Sequence, residues 1–354
     1  MEAAPDSLRR ARPLLGTFVE IAVAGAAIPA MEAAVEAAFA AIAKVHRLMS
    51  FHEPDSDVSR LNRGAAASEV RVHDWTYRVL ETACDLHHRS AGIFDVAVAP
   101  ALQELGMLLR PPDDVGSAPA EPGETPKRQL AASSWPGLSR PSTPPMPCIK
   151  KDVDGRDKPG HDDVGTSRPI IPGESDTIQL LPGNQVRFAR HGVTIDLGGI
   201  AKGFAVDRAI AALRRHGMPE GLVNAGGDVA AFGSRGHAVD IRNPRQAGRP
   251  MCQVALRNAA LASSAGRFDP VRSCDVRDAA VIDPATAMPV RAVRGATVCA
   301  RDCIIADALT KVVMNAGEAA TPVLRHYGAS ALFMSAQGEV HVTADWKHEV
   351  RFAA

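Results

Sequence analysis

The chain has 354 residues, enough for one large domain or two small ones with an ample core. Lys and Arg together number 40, as do Asp and Glu, so no generic attraction to nucleic acid or to an anionic membrane is expected. The six cysteines fit no zinc spacing, no apolar run spans a bilayer, and the first residues lack a signal peptide's apolar stretch.

Without such a stretch or a membrane span, a cytoplasmic location is expected for the chain as written, or a periplasmic one if the true start lies upstream. Thr17–Ala24 alternates loosely and reads as a strand. Pro29 opens a helix whose Met31, Val35, Phe39, Ile42 and Met49 mark a core-facing stripe. Ser50–Asn62 reads as a polar loop, Tyr77–His88 as an amphipathic helix, and Gly92–Pro100 as another loop. Residues 111–174 differ in kind. Half of the 26 prolines fall there, with no apolar period of either sort, and the composition predicts a disordered insertion. Its His161-Asp162-Asp163 run reads as solvated charge.

Ile178–Leu181 and the run from Gln185 flank Pro182-Gly183-Asn184 and predict a hairpin. Val193–Leu197 then has the β-branched content of a strand, broken by Gly198-Gly199. From Ile200 the positions Phe204, Val206, Ile210 and Leu213 recur at helical spacing, with Gly217 as the C-terminal stop. A strand, a glycine pair and a helix start place backbone N–H groups at one point, which suits a phosphate; a tight turn gives the same pattern. Lys202 sits where it can reach such an anion, and Asp196 and Asp228 flank it. Asn224-Ala225-Gly226-Gly227-Asp228 forms a second glycine corner, and two so close suggest one cleft. Further on, His237–Arg242, Cys252–Leu256, Ala259–Ser263 and Ala296–Ala300 read as strands, with a turn at Ser264–Gly266. Ile304–Asn315 and Ala319–His326 read as helices, and a hairpin over 331–343 follows. Irregular mixing of helices and strands favours a mixed α/β single domain over a doubly wound sheet.

The runs D-L-G-G-I-A-K-G-F-A-V-D (196–207) and N-A-G-G-D (224–228) resemble those of the FAD:protein FMN transferases, the ApbE family. V-I-D-P-A-T (281–286) and A-D-A-L-T (306–310) resemble that family's later motifs, in the same order. R-P-L-L-G-T (12–17), S-D-V-S-R-L-N (56–62) and G-I-F-D-V-A-V-A-P (92–100) resemble its early ones. The resemblance implies one α+β, T-fold-like domain with a central cleft, made of residues 8–110 and 175–348 around the insertion 111–174. It implies transfer of FMN from FAD to a threonine hydroxyl of an acceptor flavoprotein, with release of AMP.

For the site, the resemblance puts an aromatic contact to the flavin at His52, where a plain surface histidine is the alternative. It puts backbone contacts at Ala97, Val98 and Ala99, and further flavin-dinucleotide contacts at Leu15, Asp196, Lys202, Asn224, Gly226, Gly227, Asp228 and Ile282. Magnesium is implied as cofactor, held by the Gly199 carbonyl and by Asp307, with Thr310 one helical step later able to supply an oxygen. Such transfers need charge neutralisation and alignment more than covalent help. Four positions depart from the family pattern. Lys311 stands where Thr or Ser is usual, Ala280 where a histidine proposed as base is usual, Ala287 where Gly is usual, and Leu15 where Met is frequent. The catalytic residue is therefore left unassigned. An FAD-binding protein without transfer, or a metal-dependent FAD pyrophosphatase, are the alternative functions.

Overall fold

The computed structural model describes residues 7–109, 175–266 and 281–352; the expected insertion and Ala280 lie outside them. Ser7–Leu14 (β1) and Thr17–Ala24 (β2) form a hairpin around Leu15 and Gly16, whose φ of 55° and 69° suit a two-residue turn. β1 carries no alternation to read, because it is an edge strand with Leu8 alone buried. Ile28–Met49 (α1) starts on Pro29 and buries all five residues of the expected stripe. Asp57–Gly64 (α2) corrects the loop expected over Ser50–Asn62: Ser56 caps a short, mostly polar helix by accepting from Ser59 N at 3.0 Å. Val70–Arg71 (β3) and Asp74–Arg89 (α3) follow, and Ala99–Glu104 (α4) begins inside the expected Gly92–Pro100 loop.

Ile178–Leu181 (β4) and Gln185–Phe188 (β5) make the expected hairpin, with Gly183 and Asn184 at positive φ, and β5 pairs with β3. The strand expected at Val193–Leu197 does not form. The segment pairs with side chain and loop instead: Asn62 accepts from Ile195 N at 2.9 Å and donates to Ile195 O at 3.0 Å, while Asp196 N donates to Val96 O at 2.8 Å. Ala201–Arg215 (α5) then runs to Gly217 at φ 74°.

Glu220–Ala225 (β6), Asp228–Phe232 (β7), His237–Asn243 (β8), Gln246–Leu256 (β9) and Ala259–Ala265 (β10) come next. Ser264 and Ala265 thus remain in β10, paired with Ala296 and Gly295, where a turn was expected. Ile282–Asp283 (β11), Met288–Pro289 (β12), Val293–Ala300 (β13), Cys303–Ala316 (α6), Thr321–His326 (α7), Ser330–Ser335 (β14), Val340–Val342 (β15) and Val350–Phe352 (β16) complete the described chain.

Eight strands among the described residues form one antiparallel sheet in the order β1-β2-β6-β7-β10-β13-β14-β15. Its central strands are covered on both faces, and the pleat sorts their side chains. Ala230, Ala260, Ala262, Val298 and Ala331 face the core of α1, α5 and α6, whereas Val229, Ala231, Leu261, Cys299 and Leu332 face the small sheet β8-β9-β16. Alanines on the helix side let α5 and α6 lie close to the strands that carry the site. α6 has no cap of its own. Asp207 on α5 supplies one, accepting from Cys303 N at 2.8 Å and Ile304 N at 2.9 Å, with burial pushing its carboxyl up to about 7 against the pull of those two amides. No helix among the described residues is long and apolar enough to cross a membrane.

The β11–β12 turn shows what a departure from glycine costs. Ala287 N closes the turn on Asp283 O at 2.8 Å with Ala287 at φ 57°, a left-handed conformation that crowds its Cβ. Ala287→Gly is expected to stabilise the fold by about 0.5–1 kcal/mol, relief of the left-handed penalty outweighing the entropy glycine adds to the unfolded chain. A urea melt reads this directly, and an unchanged or lower midpoint refutes it.

Candidate functional site

Three structural elements bring the expected residues together. The β6–β7 corner is tight because Ala225 pairs with Asp228, leaving Gly226 and Gly227 alone in the turn at φ 67° and 106°. Asn224 braces it, its Oδ1 accepting from Gly227 N at 3.0 Å. The turn delivers Asp228 to the head of β7 with 1% exposure. Facing it, the first turn of α5 presents Lys202, whose Nζ donates to Asp228 Oδ2 at 2.9 Å.

The third element is α6, crossing α5 at Gly203. With no side chain there, Gly203 N reaches Asp307 Oδ2 at 2.9 Å. Lys311, one turn on, donates to Asp307 O at 2.9 Å and makes a short contact to Asp307 Oδ1. Thr310 Oγ1 donates to the same carbonyl at 2.7 Å and meets Ser264 Oγ at 2.7 Å. The stem of Lys311 lies beside Gly199: a Cβ there would be 3.5 Å from Lys311 Cε. Gly199, Lys202, Asp228, Asp307, Thr310 and Lys311 therefore share one site.

Its electrostatics are those of two carboxylates under two ammonium groups. Burial, and then the charge of Asp307, raise the Asp228 carboxyl, while Lys202 and Lys311 hold it down. Burial works against the charge of Lys202, but Asp307 and Asp228 outweigh it and raise its pKa, so Lys202 stays protonated at neutral pH. Asp196 is half-buried within charge reach of Lys311. Burial pushes its carboxyl up, and the Gly198 amide, His52 and Lys311 pull it back.

Other expected residues fall around this centre or away from it. Gly198 N is not bare, since it donates to Asp196 Oδ2 at 3.1 Å. His52 is exposed, near enough to Asp196 for its charge to be felt. Ala97 N is engaged by Asp95 Oδ1 at 2.6 Å, Val98 is half-buried, and Ala99 begins α4 without a positive φ. Ile282 is buried; its carbonyl accepts from Asn315 at 3.3 Å, and Asn315 also donates to Lys311 O. Leu15 packs on the edge of the helix-side core. Gly203, Asp207, Asn62 and Ser264 were not legible as site residues. Gly203 and Asp207 lie in the 196–207 run and Asn62 ends the 56–62 run, and that resemblance was the available signal for them. Beside the Gly226-Gly227 corner opens a cavity of about 740 Å³, lined by Thr17, Asp240, Arg242, Ser263 and Ser264 among others.

The residues expected to hold magnesium are assembled, yet they do not fit it as they stand. Asp307 Oδ1 carries the Lys311 ammonium, Oδ2 carries the Gly203 amide, and Thr310 is turned to the Asp307 carbonyl and Ser264. A divalent ion approaching Asp307 would meet a like charge. Among the described residues no three His, Cys, Asp or Glu side chains cluster as a metal site.

Comparison with known proteins agrees with this architecture. The chain is 27% identical over 362 residues to the FAD:protein FMN transferase of Treponema pallidum (strain Nichols), covering 97% of this chain and 88% of that one. It is 25% identical to the FAD:protein FMN transferase of Rhodobacter capsulatus, covering 86% of this chain but 50% of that protein. Among solved structures, the ApbE protein of Thermotoga maritima superimposes with a TM-score of 0.71 at 23% identity, covering 96% of this chain and 97% of that one. The apo flavinyl transferase ApbE of Pseudomonas stutzeri gives 0.71 at 19% identity, with 98% and 97% covered. The ApbE family itself matches residues 15–333, nine-tenths of the sequence, and the chain belongs to that family.

Proposed function

We propose that this protein transfers FMN from FAD to a threonine hydroxyl of an acceptor flavoprotein, releasing AMP. The names of its relatives support the reaction class. The observation that carries the reading is the pair of ammonium groups, Lys202 and Lys311, set over buried Asp228 and Asp307 beside the Gly226-Gly227 corner. In the transfer, the threonine oxygen bonds to the FMN-side phosphorus as that phosphorus loses its bond to the bridging oxygen. AMP departs with that oxygen and its electron pair, and the hydroxyl proton is released. The work asked of the protein is to align the diphosphate and to neutralise the charge gathering on the leaving phosphate. Lys202 and Lys311 have the charge for this. The resemblance would have His52 and the backbone of Ala97–Ala99 meet the flavin ring. Asp307 already holds the Lys311 ammonium and the Gly203 amide, so the charge on the leaving phosphate falls to the lysines.

One observation favours a second reading, FAD binding without transfer: Ala280 stands where the family pattern has a histidine proposed as general base. The test incubates the purified protein with FAD, with and without a flavoprotein domain that carries phosphoester-linked FMN, and follows AMP by chromatography and acceptor mass. Transfer gives AMP only with the acceptor, together with a mass gain. Bound FAD with no AMP selects the second reading, and AMP without acceptor means that water is the nucleophile.

A further inference from the structure

We propose that Lys311 is a built-in cation: its ammonium takes the place a divalent metal would need at Asp307 and, with Lys202, neutralises the substrate's diphosphate, so that this chain binds its dinucleotide without a metal. The proposal rests on the reading above for the identity of the substrate, and on the geometry of the lysine pairs for the rest.

The order of groups from solvent inward is the first argument. The side chains of Asp228 and Asp307 are each 1% exposed, whereas those of Lys202 and Lys311 are 35% and 18% exposed. The carboxylates form a floor and the ammonium groups lie above it. A ligand from solvent therefore reaches the lysine side chains before it reaches either carboxylate.

Donor arithmetic is the second. An ammonium has three N–H groups. Lys311 commits two, to Asp307 O and Oδ1, and Lys202 commits one, to Asp228 Oδ2. Three charged donors remain for phosphate oxygens, divided between two side chains that approach from different helices. The third argument is that Lys311 is held in place. It lies one turn after Asp307 on the same helix, its stem runs beside Gly199, and Asn315 secures the Lys311 carbonyl. A cation so fixed needs no recruitment from solution, whereas a divalent ion would first have to displace it from Asp307.

Two binding measurements decide this. Manganese(II), as a spectroscopic stand-in for magnesium, is titrated into wild type, Lys311→Thr and Lys311→Met and followed by electron paramagnetic resonance. FAD affinity is measured by flavin fluorescence in EDTA and in excess magnesium. Wild type is expected to bind no manganese at the site and to show the same FAD Kd in both buffers. Lys311→Thr should gain manganese binding and become magnesium-dependent for FAD. Lys311→Met should bind FAD roughly ten- to hundredfold more weakly in EDTA, the span of a lost charge-assisted hydrogen bond. Wild type that binds manganese as tightly as Lys311→Thr, or binds FAD at least about tenfold better with magnesium, overturns the proposal. So does a Lys311→Met protein that binds FAD as wild type does in EDTA. Failure of the transferase reading looks different: no AMP and no modified acceptor, with these binding results intact. If FAD does not bind at all, the substrate is wrong, and the manganese titration alone decides the cation question.

Discussion

Replacing Lys202 by methionine is expected to lower FMN transfer by about 10²–10³-fold, the usual loss on removing one donor aimed at developing charge. The same change leaves Asp228 buried without its partner at 2.9 Å. Breaking a fully buried pair costs about 3–5 kcal/mol; a third of the Lys202 side chain is exposed, so about 2 kcal/mol is the better expectation here. Burial already raises the Asp228 carboxyl, and without Lys202 it is driven further toward its protonated form. Lost activity could therefore be blamed on lost structure. The double variant Lys202→Met/Asp228→Asn separates the two, because it removes the orphaned charge while keeping the shape. Its urea midpoint should return toward wild type while transfer stays low. Recovery of transfer in the double variant, or near-normal transfer in the single one, would show that Lys202 serves only to neutralise Asp228.

How much of this could be read in the sequence follows from the range of each interaction. The α1 stripe and the buried residues of α6 were legible because an apolar period is local: α1 lays its stripe mainly on α5, and α6 packs against β10, β13 and α5. The β6–β7 corner was legible for a similar reason: two adjacent positive φ values call for Gly226-Gly227, and Asn224 is a short-range brace. The strand expected at Val193–Leu197 was not a strand, since its partner is the side chain of Asn62, 133 residues earlier, which no periodicity announces. Ser264 looked like turn chemistry, yet β13 holds it in a ladder and Thr310 takes its hydroxyl. The resemblance marked Lys311 as out of pattern. That it docks on both the carbonyl and the carboxylate of Asp307 is a matter of geometry, and only the folded arrangement of α5 against α6 reveals it.

That helix crossing has one point where no side chain is tolerated. Gly203→Ala is expected to destabilise the protein by about 2 kcal/mol or more and to weaken FAD binding as well. A Cβ on Gly203 would lie 2.7 Å from Asp307 Cβ and closer still to Cys303 O. Neither atom is the free end of a flexible side chain, so the helices themselves must part. Overpacking of this sort typically costs about 1–3 kcal/mol, occasionally more. Alanine's better helix propensity returns about 1 kcal/mol at most. The separation also strains the Gly203 amide bond to Asp307 and, one turn on, the two bonds by which Asp207 caps α6. Stability and site geometry thus fail together, because one crossing sets both. Gly217→Ala is the control: its φ of 74° imposes a left-handed penalty of about 1–2 kcal/mol, but no other heavy atom lies within 4 Å of the added Cβ. Gly217→Ala should lose some stability and keep its FAD affinity, whereas Gly203→Ala loses both. Equal FAD affinity in the two variants would mean that the contact between α5 and α6 does not hold the site.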